Sequence, residues 1–182
     1  MSSSQAFRVG VLLLPPVQLL GISSVDLFGM LTKDYLLACQ LPRPITALGV
    51  TVDIHYITEA GFGSVAQCTA NAGFHISASL DDEICTPGTL DVLMIPGPDP
   101  AAIPSEKAKA FIKAHAAGKT DILTVCTGIF PAGYAGILEG KRATGPRALL
   151  LTLRTKFPTT QWTDRRWERD GNIWCSGEFS FL

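Results

Sequence analysis

The chain has 182 residues, of which 47% are hydrophobic and 17% charged, and 15 basic against 16 acidic residues leave a formal net charge of -1. That length suits one domain, residues 1–182, with a sizeable core, and the composition carries no signature of disorder. A near-neutral chain lacks the basic footprint that attracts phosphate backbones or anionic membranes, so neither nucleic acid nor lipid is an expected partner.

The five cysteines (Cys39, Cys68, Cys85, Cys126 and Cys175) are scattered and form no C-x-x-C pair. Zinc sites and disulfide frameworks need clustered spacing, so thiols in a reducing compartment are expected, with no metal. Met1 to Phe7 is Ser-rich, without a basic stretch leading into an apolar one, and the longest apolar runs are strand-length. A cytoplasmic protein without a secretory signal or membrane span is therefore expected.

In chain order, Phe7 to Leu14 reads as a buried strand stopped by Pro15 and Pro16. Ser23 or Ser24 is expected to cap a helix whose Val25, Phe28, Leu31, Tyr35 and Leu36 share one face. Thr51 to Thr58 alternates, with Val52, Ile54 and Tyr56 on one side and Asp53 and His55 on the other, as in a half-exposed strand. Gly61 to Ser79, broken by glycines, predicts a hairpin or excursion at a sheet edge. Asp91 to Pro96 is the next strand. Ser105 then opens a helix with Ala108, Phe111, Ile112 and His115 on one face, ended by Gly118. Asp121 to Cys126 is another buried strand. The turn at Thr127-Gly128 leads into a helix from Ile129 to Leu138, with Gly140 as its stop. Pro146 fits the first turn of a helix reaching Lys156. Asp170-Gly171 between two short strands signals a hairpin.

Buried strands alternating with helices predict an α/β fold, a mostly parallel sheet with helices on both faces. The ligand crevice of such a sheet lies at the carboxyl ends of its strands. Two of those ends are punctuated unusually, by Gly97 after Pro96 and by Cys126 before Thr127-Gly128. A strand that stops at a thiol and turns at once into a helix aims the side chain into the crevice. The amides that follow favour the reactive thiolate there. The structural alternative is an inert core cysteine, since cysteine is among the most buried residue types.

The run DILTVCTGIFPAGYAGILEGKRATGP, Asp121 to Pro146, resembles the nucleophile-elbow block of the ThiJ/PfpI superfamily. The blocks VGVLLLPPVQLL, DVLMIPG and RRWERDGNIWCSG extend the resemblance over nearly the whole chain. It implies a flavodoxin-like sheet related to class I glutamine amidotransferases. Thr127 directly after Cys126 resembles the isonitrile-hydratase-like branch, whereas the protease- and deglycase-like branch places His there. That branch adds water to the terminal carbon of an isocyanide to give an N-substituted formamide, without a cofactor. The resemblance implies attack by the Cys126 thiolate on a small-molecule electrophile, a Thr127 hydrogen bond near the nucleophile, and a pocket lined by the amides of Gly97 and Thr127.

Two departures stand out. The branch follows its first strand with a Q-x-L-D segment whose Asp supplies the catalytic carboxylate, and this chain reads Gln18-Leu19-Leu20-Gly21. Asp26, about one and a half helical turns further on, and Asp99, beyond Gly97, are the substitute carboxylates to consider. Family members also continue past the SGG-like segment into a further helix, where this chain reads Cys175-Ser176-Gly177-Glu178 and then Phe179-Ser180-Phe181-Leu182. Part of one sheet face is therefore expected to lack its cover, which invites a homodimer. The same departures make a pseudoenzyme or thiol sensor the alternative to a hydratase. His55, His75 and His115 are expected to be structural or solvated. Trp167 and Trp174 are expected to pack across strands, and Arg142 and Arg147 to be surface charge.

Overall fold

A computed structural model describes residues 6–177 of the chain. The expected first strand forms as β1 (Phe7–Leu12), with the Leu13 amide still donating to Ile57 O at 2.9 Å. The single helix expected after Ser23 is instead three short ones: α1 (Leu19–Ser23), α2 (Asp26–Gly29) and α3 (Lys33–Ala38). The serine hydroxyls do not cap forward. Ser23 Oγ donates back to Leu20 O and Ser24 Oγ back to Gly21 O, closing α1. Thr32 supplies the N-cap of α3, accepting from the Tyr35 amide. Gly21 therefore lies inside a helix that sequence periodicity did not register. A further short helix, α4 (Arg43–Thr46), precedes β2 (Val52–Thr58).

The glycine-broken stretch becomes an antiparallel hairpin, β3 (Val65–Gln67) with β4 (Gly73–His75), followed by the edge strand β5 (Ala78–Ser79). β6 (Val92–Ile95) is buried throughout. α5 (Glu106–Ala117) buries Ala108, Phe111, Ile112 and His115, and Ser105 caps it by accepting from the Ala108 amide at 3.0 Å. β7 (Asp121–Val125) ends one residue before Cys126. α6 (Ile129–Tyr134) stops short of Leu138, because Gly136 takes a left-handed φ of 75°. The remaining elements are β8 (Arg142–Ala143), α7 (Leu150–Lys156), β9 (Gln161–Trp162), β10 (Trp167–Asp170) and β11 (Ile173–Ser176).

Seven strands form one sheet in the order β10-β11-β7-β6-β1-β2-β5, parallel except for the β10–β11 hairpin. The fold is flavodoxin-like, with strands that bury side chains on both faces, as their near-continuous Val, Leu and Ile runs require. One core packs Leu93, Ile95, Ile122 and Ile173 with Phe111 and Ile112 of α5, Phe130 of α6 and Leu153 of α7. The other packs Val9, Val11, Met94 and Val125 with Ile22, Val25 and the hairpin residue Phe74.

Among the described residues, cover on the second face ends near Phe28. Beyond it a groove of about 450 Å³ runs along Val92, Leu123, Val125, Trp167 and Trp174. The two indoles stack with ring centroids 6.4 Å apart, and the Arg169 guanidinium lies 4.2 Å from the Trp174 ring. Trp167 is nevertheless 62% exposed. The expectation that this face lacks its usual cover concerns the segment after Gly177, and Glu178 to Leu182 lie outside the described residues. Among the described residues, no helix is long and apolar enough to cross a membrane.

Candidate active site

Val125 is extended (φ -115°, ψ 124°), and the next residue, Cys126, reverses to φ 55°. A side chain with a β-carbon in that region is strained by about 1–3 kcal/mol. The chain then enters a tight turn over Cys126–Gly128 and runs directly into α6. This strained strand-to-helix turn holds the thiol side chain, half-buried, at the carboxyl edge of the sheet.

Gly128 explains how the turn can be so tight. A β-carbon there would stand 2.0 Å from Ile95 O, inside the backbone of β6. The turn at Cys126 is thus pressed against the exit of the neighbouring strand, and only a glycine permits that approach. Thr127 is buried, and its hydroxyl donates to Pro98 O at 2.7 Å. That donated bond clamps the β6 exit loop to the elbow.

Gly97 lies between these parts. A β-carbon on it would meet Thr127 Oγ1 at 2.5 Å, Gln18 Oε1 at 2.8 Å and Thr127 N at 3.2 Å. The Gln18 amide N–H donates to Gly97 O at 2.8 Å. The loop after β1 is stitched on its other side to the hairpin, with Val17 N–H donating to Gln67 O and Thr69 N–H to Val17 O. Gln18 is the site residue that sequence reasoning left unexamined, although it opens the Q-x-L segment. Its side chain stands where the β1 exit, Gly97 and Thr127 converge.

Gly21 is buried on the face of α1 turned toward this junction. A β-carbon there would lie 3.2 Å from Gly97 N and 3.6 Å from Pro96 Cβ. The two substitute carboxylates have other surroundings. Asp26 lines a separate cavity beside Tyr56 and Phe74. Asp99 is exposed and accepts from the Ala101 amide at 2.8 Å, shaping a turn. His55 sits 3.1 Å from Asp53, His75 is exposed on the hairpin, and His115 is buried with its ring nitrogens against Cys85 O and Thr120 Oγ1. Arg142 faces Glu168 and Asp170, and Arg147 bonds Asp164 at 2.8 Å.

Burial pushes Cys85 and Cys175 up to about 11 and also raises Cys68. Among the described residues, no group of three His, Cys, Asp or Glu could hold a metal ion.

The architecture is that of an α/β protein with a mostly parallel sheet, a strained cysteine elbow at one strand end and a glycine at the neighbouring strand exit. Residues 36–180 match the DJ-1/PfpI family, and the chain belongs to that family. It is 30% identical over 176 residues to the isonitrile hydratase of Pseudomonas putida, covering 94% of this chain and 65% of that protein. Among solved structures it resembles a ThiJ/PfpI family protein from Pseudomonas syringae (TM-score 0.73, 19% identity, 95% of this chain and 63% of that one). It also resembles Drosophila melanogaster DJ-1beta (TM-score 0.66, 15% identity, 95% and 82%). The chain thus spans a little under two thirds of the length of the hydratase and of the P. syringae protein.

Proposed function

We propose that this protein is an isonitrile-hydratase-like, cysteine-dependent hydratase that converts a small isocyanide to an N-substituted formamide. The observation that carries the reading is Cys126 held at φ 55° on a turn pressed against β6, next to the Gly97 and Thr127 amides. The identity to isonitrile hydratase supplies the substrate class.

In this reading the Cys126 sulfur donates its electron pair to the terminal isocyanide carbon. A C–S bond forms, and a proton taken up at that carbon completes a thioimidate, RS–CH=N–R′. Water adds to the same carbon, nitrogen takes a proton, and the C–S bond breaks. The products are HC(=O)–NH–R′ and the regenerated thiol. Among the described residues the Gly97 amide has no backbone acceptor, which leaves its N–H available to the polarising adduct. At position 21 glycine offers no proton donor, so in this chain protons would come from water.

A specific observation favours a second reading, a thiol sensor that keeps the elbow without turnover: Gly21 faces the site and carries no side chain. One experiment separates the two. Wild type and Cys126→Ala are incubated with a small alkyl isocyanide, and formamide is quantified beside alkylation of the thiol. Turnover that vanishes in Cys126→Ala supports the hydratase. Selective labelling of Cys126 without turnover supports the sensor, and equal turnover in both proteins overturns the role of Cys126.

A further inference from the structure

On the outer side of α1, away from Gly21, the structure leaves a second cavity of about 260 Å³ between α1, α2 and the β2–β4 side of the sheet. Its walls are apolar where Ile22 and Ile54 contribute, and aromatic where Tyr56 and Phe74 stand with ring centroids 5.5 Å apart at 48°. One carboxylate borders it, that of Asp26 in the first turn of α2, with Ser23 beside it.

Asp26 is exposed at the mouth of this cavity. Among the described residues no lysine, arginine or histidine pairs with it, and no hydrogen bond to its carboxylate is found. Its charge is nonetheless felt inside the cavity, where it adds to burial in raising the Tyr56 phenol above its ordinary value. A negative charge at the mouth and two aromatic rings in the wall together favour a cation, and one with apolar substituents rather than a hydrated metal ion. An anion would be repelled by Asp26, and a neutral molecule would draw no attraction from its charge.

We infer that the cavity between α1, α2 and the hairpin is a binding site for a small organic ammonium ion, with Asp26 as the counter-charge and Tyr56 and Phe74 as the aromatic wall. The site is distinct from the elbow at Cys126, but it shares α1 with it. Leu19, Ile22 and Ser23 face the cavity, while Gly21 of the same helix packs against Gly97. An occupant therefore bears on the helix that also borders Gly97.

Choline and its uncharged isostere 3,3-dimethylbutan-1-ol serve as probes, titrated into the full chain and followed by the backbone amide NMR signals of Asp26, Tyr56 and Phe74. Saturable shifts are expected with choline and not with the isostere. Asp26→Asn, at an exposed position that threatens no core packing, is expected to weaken choline binding about fivefold. Tyr56→Phe retains binding because the ring remains, whereas Tyr56→Leu loses most of it. Equal binding of choline and the isostere, unaltered affinity in Asp26→Asn, or no saturable shift with choline overturns the assignment. Because the readout does not involve Cys126 or isocyanide turnover, it stands or falls independently of the hydratase reading.

Discussion

Replacing Gly21 by aspartate puts a carboxylate back on the face of α1 that meets the Gly97 strand exit. The new β-carbon would have its nearest neighbour, Gly97 N, at 3.2 Å, and Pro96 Cβ at 3.6 Å, so the backbone must yield by only a few tenths of an ångström. Position 21 is not in the left-handed region, and glycine is poorer than aspartate inside a helix by some tenths of a kcal/mol. The main cost is desolvation at a buried site. The Gly97 N–H within reach offsets part of it, and partial desolvation raises a carboxyl toward the range where it exchanges protons near neutrality. General acid–base help is typically worth about 10²–10⁴-fold, or roughly 2.7–5.4 kcal/mol of barrier. Gly21→Asp is therefore expected to raise the rate of formamide formation by about that factor over wild type. The assay is the initial rate with a small alkyl isocyanide, alongside circular dichroism and thermal unfolding to establish folding. Gly21→Asn, equal in size but unable to exchange a proton, is the control. A folded Gly21→Asp no faster than wild type, or an asparagine variant that gains as much, refutes the reasoning.

Iodoacetamide applied to the native protein is expected to label exposed Cys39 and half-buried Cys126, and to spare Cys68, Cys85 and Cys175, whose thiols burial holds protonated. Peptide mapping by mass spectrometry checks this, and uniform labelling of all five contradicts it. His115 should make stability fall with acid: burial lowers its folded-state pKa below the ordinary 6.5, against a smaller raising effect of the Cys85 bond, so the unfolded chain binds the proton first. Its contribution is complete above about pH 6.5 and declines as the pH falls below it toward the folded-state value. Urea unfolding across that window should show a positive slope that His115→Gln reduces, and an unchanged slope would count against it. Self-association is expected because the groove lined by Phe28, Leu123, Trp167 and Trp174 is apolar and Trp167 stands exposed at it. Light scattering should give twice the chain mass, with Trp167→Glu shifting it toward the monomer; a wild type that stays monomeric at high concentration refutes the interface.

The fold was legible wherever one physical demand dominated. The Val, Leu and Ile runs of β1, β6 and β7 are buried on both sheet faces and read as parallel strands for that reason. The α5 face was legible residue by residue, from its Ser105 cap to the burial of His115. Failure came where short helices obey loop geometry rather than periodicity. Val25, Phe28 and Leu31 have helical spacing, yet α2 begins only after Val25 and ends with Met30 as its C-cap, before Leu31, which is 53% exposed. Around the elbow, the strand-end positions of Cys126, Thr127 and Gly97 were legible as local geometry. The hydroxyl of Thr127 was not, because its acceptor, Pro98 O, is 29 residues away. Gln18 was hidden for the same reason: its meaning depends on Gly97, which only the sheet brings beside it.

The geometry also explains how an elbow can persist without its carboxylate. Cys126 is held at φ 55° by three constraints, none of which involves residue 21: the extension of Val125, the contact of Gly128 with Ile95 O, and the Thr127–Pro98 hydrogen bond. Strain of about 1–3 kcal/mol survives only where the surroundings over-determine it, and here they do. Gly21 packs against Gly97 and Pro96 and takes part in none of these three constraints, so a substitution there is expected to leave the placement of the thiol intact. In the proposed hydratase reading, scaffold and proton chemistry are then separable. That is why one substitution at position 21 tests the chemistry alone, while a side chain at Gly128 would first displace the strand exit against which the thiol is held.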